Sequence, residues 1–238
     1  MHPNPITIVT GASSGIGRAT ALLLAEHGHS VALVARTESA LQDTFNMALE
    51  RNPKADLLVI AADIAETSSA QHIISSVVER WGRLDVLINA AGMAPSLGIH
   101  DHDADLIRRT IEVNAIAAAS LVINAWPHWT AQGSGCLVNI SSLSSIDPFP
   151  GFLAYGMSKS ALDGLTRSVH TEGRELGIRA FTLTLGAVET PMLRSFLDEE
   201  ALPRDATLDP SQVAVRVLDC IEGRLDEECG SQIEFVRS

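Results

Sequence analysis

The sequence predicts a single α/β domain: a doubly wound parallel sheet of about seven strands with helices on both faces. Three observations predict it. Short apolar, β-branched runs alternate with longer segments of helical periodicity along all 238 residues. The strand runs are apolar throughout, as expected of strands buried on both faces. A glycine-rich turn links the first strand to the first helix, a placement suited to a phosphate-bearing ligand.

The elements follow in order. Ile6 to Val9 is a β-branched run ending before Gly11. Ile16, Ala19, Leu22, Leu23 and Leu24 recur at helical spacing over 15–27, and Gly28 closes that helix. Val31 to Val34 is the second strand, and residues 38–51 form a second helix stopped by Asn52-Pro53. Leu57 to Ala61 is the third strand, 67–80 the third helix and Val86 to Asn89 the fourth strand. A long helix is expected over 103–125, a strand over 136–140 and a second long helix over 152–175. Phe181 to Leu185 is the sixth strand. A helix over 210–222 has Asp209 as its cap and Pro210 at its first position, and Ile233 to Val236 is the last strand. The Pro-containing stretches 147–150 and 203–210 are too short for linkers, so 1–238 reads as one domain.

Composition narrows the function. Seventeen Lys and Arg stand against 29 Asp and Glu, a net charge of −12. That argues against nucleic acid, whose phosphates need a basic face, and against an anionic membrane. No apolar run reaches membrane-spanning length without a charge, Gly or Pro, and the N-terminus lacks a signal-peptide pattern. Cys136, Cys220 and Cys229 are widely spaced, with no CxxC pair, so neither disulfides nor a metal site is expected. Free thiols fit a cytoplasmic protein.

Thr10-Gly11-Ala12-Ser13-Ser14-Gly15-Ile16-Gly17 forms the glycine-rich turn. Glycine allows a tight turn and close backbone approach, and a helix N-terminus offers free N–H groups to phosphates. The second strand ends Val34-Ala35-Arg36, with no acid to bind a ribose 2′-hydroxyl. Arg36 instead offers a permanently charged fork suited to the 2′-phosphate of NADP.

Tyr155, the only Tyr, and Lys159, one of two Lys, stand four apart on an expected helix and share a face. A nearby ammonium favours a phenolate, so Lys159 is expected to lower the Tyr155 pKa for proton transfer to or from an alcohol or carbonyl oxygen. Ser142 follows the fifth strand, where ligands of open α/β sheets bind, and can hold a carbonyl oxygen. Asn89 ends the fourth strand, and Asn114 interrupts an apolar helical run, where it serves either a structural network or a water-mediated proton path.

Taken together, these segments resemble the short-chain dehydrogenase/reductase family. The matching residues add Asp63, Leu84 to Gly92, Val113-Asn114, Val138 to Ser142 and Gly186 to Pro191 to those above, spanning nearly the whole chain. The resemblance implies a Rossmann-like fold and an NADP(H)-dependent enzyme interconverting a ketone or aldehyde and an alcohol. It implies a catalytic set of Asn114, Ser142, Tyr155 and Lys159, with Tyr155 as general acid/base and Asn114 anchoring a water that links Lys159 to solvent. It implies that Gly11, Ser13, Ser14, Ile16 and Gly17 line the pyrophosphate. Arg36, Asp63, Ile64, Asn89, Ala90 and Gly92 would meet the adenosine half, and Tyr155, Lys159, Val188 and Thr190 the nicotinamide half. A homodimer or homotetramer is implied as well.

Two positions depart from the family pattern. Ala90 stands where a second Asn is usual, and Leu185 where a Pro is usual. Substrate walls are expected in 93–102, 143–153 and 191–208, from Met93, Leu97, Leu143, Ile146, Phe149, Phe152, Leu153, Met192, Leu193 and Phe196. That lining suits a small, largely apolar carbonyl compound. An alternative is a reductase of 3-oxoacyl thioesters on an acidic carrier protein, for which Arg108, Arg109 and Arg194 are the candidate basic contacts. A third reading is a nucleotide-binding protein without turnover.

Overall fold

The computed structural model describes residues 4–237. Among them are seven strands: β1 (Ile6–Thr10), β2 (Ser30–Ala35), β3 (Leu57–Ala61), β4 (Val86–Asn89), β5 (Gly135–Ser142), β6 (Ile178–Leu185) and β7 (Gln232–Phe235). They form one sheet in the order β3-β2-β1-β4-β5-β6-β7, every neighbouring pair parallel. The chain winds outward from β1 to β3, then returns to place β4 beside β1. That reversal opens a crevice at the carboxyl ends of the central strands.

Alternate residues of each strand feed two cores. Val9, Leu33, Ile88, Val138 and Phe181 face one layer, with α1 (Gly15–Glu26), α2 (Glu38–Arg51) and α8 (Pro210–Ile221). Ile8, Val34, Leu87, Leu137 and Ala180 face the other, with α3 (Ser69–Trp81), α5 (Ala117–Gln132) and α6 (Leu153–Gly173). Each buried large apolar side chain contributes about 1.5–3 kcal/mol, so this two-sided burial dominates stability. Asp209 and Gln212 form a capping box on α8, with Pro210 at its first position.

The expected helix 103–125 is three pieces. α4 (Ala104–Ile111) gives way to a π turn at Glu112–Ile116, and α5 then runs on past Pro127 to Gln132. The wider π turn re-registers the backbone hydrogen bonds, which apolar periodicity does not report. The fifth and sixth strands are longer than expected because Ser141, Ser142, Ile178 and Ala180 pair along their edges. One short helix, α7 (Pro191–Arg194), was not expected. No helix among the described residues is long and apolar enough to cross a membrane.

Candidate active site

A cavity of about 770 Å³ lies over the carboxyl ends of the strands. It reaches from Asp63, after β3, to Leu185, at the end of β6. Those strands are five sheet spacings apart, a span of roughly 24 Å. Ligands of this length are extended, with a different chemical group at each end.

The glycine-rich turn forms the floor at β1. Gly11 and Gly15 have φ of 70° and 50°, the left-handed region. A Cβ on Gly11 would stand 2.9 Å from the Ala91 backbone, and one on Gly17 would strike the Gly11 carbonyl. The turn and the 89–92 segment therefore touch backbone to backbone, which only glycine permits. Ser14 caps α1 without a side-chain bond, and the first turn of α1 carries no acidic residue. This leaves free N–H groups with no competing carboxylate, the donor set a pyrophosphate needs. Two residues the sequence reading missed hold the turn. Arg18 donates to the Ser13 carbonyl and to Thr44 Oγ1, and Thr44 donates to the Ala12 carbonyl at 2.9 Å.

At the β2–β3 end, Arg36 is exposed and makes no hydrogen bond or ion pair with a described residue. Asp63 accepts from Arg109 at 2.7 Å and from the Ala65 backbone N–H at 3.1 Å. Burial pushes its carboxyl pKa up, but those two donors and the charge of Arg36 outweigh it and hold it below the usual value. Ile64, Ala90, Gly92, Val188 and Thr190 also line the cavity, as expected. The Thr190 hydroxyl accepts from the Leu193 N–H at 3.2 Å, so it caps α7 at the cavity wall.

One expected contact is corrected. Asn89 does not reach the cavity. Its amide donates at 2.8 Å to Asn139 Oδ1, Asn139 donates to Thr166, and Thr182 donates to Thr166. This buried network ties β4, β5, β6 and α6 together; Asn89 shares the sheet face of Leu87, two residues earlier, and so turns toward α6 rather than the crevice. Asn114 sits in a structural network, one of the two roles expected of it. From the π turn it accepts from the Met93 N–H and donates to the Met93 carbonyl, each at 2.8 Å, and donates to Ser158. It is a positioning residue between the 89–93 segment and α6.

At the β5–β6 end, Ser142, Tyr155 and Lys159 converge on the cavity. Lys159 is 5% exposed, donates from Nζ to the Ile140 carbonyl at 2.8 Å, and lies 5.6 Å from the Tyr155 ring centroid. Burial lowers its pKa to about 8, opposed by the charge of Asp163 one turn on. Burial also raises the Tyr155 phenol above its ordinary value, and its hydrogen bond with Ser142 works against that rise. The expected lowering of Tyr155 by Lys159 is therefore not found. The ammonium sits over the ring face and bonds a backbone carbonyl, while desolvation of the phenol dominates.

The substrate walls are partly as expected. Met93, Phe149, Phe152, Met192, Leu193 and Phe196 line the cavity, whereas Leu97, Leu143, Ile146 and Leu153 do not. Leu97 instead donates its N–H to the Gly151 carbonyl at 2.9 Å, so two of the loops pack on each other. The loop after β6 is clipped at its base by the Val188–Leu208 bridge. The three candidate basic contacts for a carrier protein are all engaged: Arg108 with Asp105, Arg109 with Asp63 and Arg194 with Glu189. Among the described residues, no three His, Cys, Asp or Glu side chains converge as metal ligands.

A nucleotide-shaped crevice with a tyrosine, lysine and serine at one end defines a dinucleotide-dependent oxidoreductase site. The family model described as short chain dehydrogenase matches residues 5–201, and the chain belongs to that family. An uncharacterised oxidoreductase of Staphylococcus epidermidis is 32% identical over 187 residues, covering 79% of each chain. Agropine synthesis reductase of Rhizobium rhizogenes is 31% identical over 93% of this chain and 50% of its own length. Among solved structures, levodione reductase superposes with a TM-score of 0.91 at 23% identity, over 98% of this chain and 96% of that one. NAD+-bound xylitol dehydrogenase superposes at 0.90 and 21%, over the whole of both chains. The protein is thus an oxidoreductase of the short-chain dehydrogenase/reductase family, which uses NAD(P)(H).

Proposed function

We propose that this chain is an NADPH-dependent reductase of ketones or aldehydes, or in reverse an NADP-dependent alcohol dehydrogenase. The observation that supports NADP over NAD is Arg36. It lines the cavity with no hydrogen-bond or ion-pair partner among the described residues, and no carboxylate stands at the tip of β2. A 2′-phosphate would give its guanidinium a charge-assisted partner.

When bound, the nicotinamide supplies the hydride. The protein does the rest. Ser142 holds the carbonyl oxygen by a hydrogen bond and Tyr155 delivers a proton to that oxygen from Oη. Lys159, anchored on the Ile140 carbonyl, places a positive charge under the phenol as the proton leaves. The convergence of these three side chains speaks against a binding protein without turnover, and the engaged arginines speak against an acidic carrier-protein partner.

The test is a fluorescence titration of the purified protein with NADPH and with NADH. NADPH is expected to bind at least about tenfold more tightly, and Arg36→Ala to remove most of that difference. Preference for NADH in the wild-type chain would overturn the cofactor assignment.

A further inference from the structure

The two ends of the cavity differ in chemistry. Of the charged side chains lining it, Arg36, Asp63 and Arg109 lie at the β2–β3 end, and Lys159 is anchored on the Ile140 carbonyl. At the β5–β6 end the remaining polar side chains on the lining are neutral hydroxyls, those of Ser96, Ser141, Ser142, Ser144 and Thr190 among them. Apolar side chains on that wall include Met93, Phe149, Phe152, Met192 and Phe196. Phe152 meets both the Tyr155 ring, 5.8 Å away at 64°, and the Phe196 ring, 5.1 Å away at 71°. Both are edge-to-face, the geometry by which aromatic rings add to one another. Phe149 is 57% and Met192 37% exposed at the same mouth.

A carboxylate, phosphate or ammonium brought here would lose its water, and the cation lining this end, Lys159, is held behind the Tyr155 ring by its bond to the Ile140 carbonyl. Arg194, on the loop after β6, is already paired with Glu189. The hydroxyls of a polyol would outnumber the available partners. Resting on the reductase reading above, we propose that the substrate is an uncharged ketone bearing an aromatic or alicyclic ring beside the carbonyl, with that ring held against Phe152 and Phe196. The net change is ketone plus NADPH plus a proton to secondary alcohol plus NADP+, with the oxygen's proton passing through Tyr155. Phe196 is a specificity residue in this arrangement, because it contacts the ring and not the reacting atoms.

The experiment compares initial NADPH consumption with acetophenone, 2-methylcyclohexanone, acetone, pyruvate, dihydroxyacetone and acetoacetyl-coenzyme A, after NADPH binding has been established by titration on the same preparation. The expected result is a kcat/KM for the two ring ketones about a hundredfold above those for pyruvate, dihydroxyacetone and the thioester. Phe196→Ala should raise the KM for acetophenone about tenfold and lower kcat/KM for acetone by a much smaller factor. Phe196→Leu, which keeps an apolar wall, should fall between the two and guards against a folding defect. Faster turnover of pyruvate, dihydroxyacetone or the thioester overturns the ring-ketone assignment and leaves the reductase reading standing. NADPH binding with no turnover of any of the six overturns both.

Discussion

Arg194 grips Glu189 through both sides of its guanidinium, Nε to Oε1 at 2.9 Å and Nη2 to Oε2. Its remaining nitrogen donates to the carbonyls of Leu197, Asp198 and Leu202. One side chain thus ties the foot of the loop after β6 to its far turn. Glu189 also accepts from Thr207, so the carboxylate joins both ends of the excursion.

That relationship makes Arg194 a positioning residue for Leu197 and Leu202, which line the cavity from the same loop. Arg194→Gln keeps some hydrogen bonding but loses the fork and the charge. We expect KM for the carbonyl substrate to rise about tenfold with kcat lowered less, and NADPH affinity to stay unchanged. Limited proteolysis should cut faster within 189–208. An unaltered KM with normal loop protection would dismiss the role.

Lys159 carries a stability consequence with a definite sign. Its folded pKa of about 8 lies below the ordinary 10.5. Between those values the unfolded chain binds a proton that the folded chain does not. The buried ammonium therefore destabilises the fold at neutral pH, and the penalty fades as pH rises from about 8 toward 10.5. Lys159→Met should abolish turnover yet stabilise the chain at pH ~7 by about 1–3 kcal/mol, after allowing for the lost bond to the Ile140 carbonyl. Urea melts of both proteins at neutral and strongly alkaline pH measure this, and the gain should shrink at the higher pH.

Much of this architecture is legible in the chain because strand runs and turn glycines carry local signals. Gly11 and Gly17 report close backbone approach by their mere identity, and Tyr155 and Lys159 declare a shared helix face by their spacing. What escapes depends on non-local partners. Asn89 and Asn114 are polar residues in apolar surroundings, and the sequence cannot say whether an amide faces a crevice or another amide. The structure pairs them with Asn139 and Met93, far along the chain. The pKa direction of Tyr155 escapes for the same reason, since spacing reports the ammonium but not the burial. Arg18, Thr44 and Arg194 escape because a surface arginine and a bracing one look alike until their partners fold beside them.

Acid should unfold the chain through His29. It is buried, its Nδ1 lies 2.8 Å from Thr7 Oγ1, and burial first, then the charge of His27, lowers its pKa from 6.5 to about 4. A lowered pKa means that the neutral ring's contribution is complete above 6.5 and is lost progressively as pH falls toward 4. Between pH ~7 and pH ~5 this one residue should remove about 2 kcal/mol of unfolding free energy. His29→Gln, which retains a partner for Thr7, should flatten that part of the stability–pH curve. An equally steep curve in the variant would place the acid sensitivity elsewhere.

Thr10 explains how the chain tolerates Ala90. Its hydroxyl accepts from the backbone N–H groups of Ala90 and Ala91, each at 3.1 Å, and donates to the Ile88 carbonyl at 3.2 Å. It thereby braces the segment that the glycine-rich turn touches through Gly11, without an amide side chain at position 90. Thr10→Val preserves shape and volume but leaves two donors and an acceptor without a partner. Each partly buried orphan costs about 1–3 kcal/mol before water relieves it, so a net loss near 2 kcal/mol is expected. The loosened 89–92 segment should also weaken NADPH binding, by about tenfold, because the floor beneath the dinucleotide is no longer fixed. Thermal unfolding and the fluorescence titration read the two effects separately. A variant that loses stability but binds NADPH as tightly as before would show that the brace serves the fold alone.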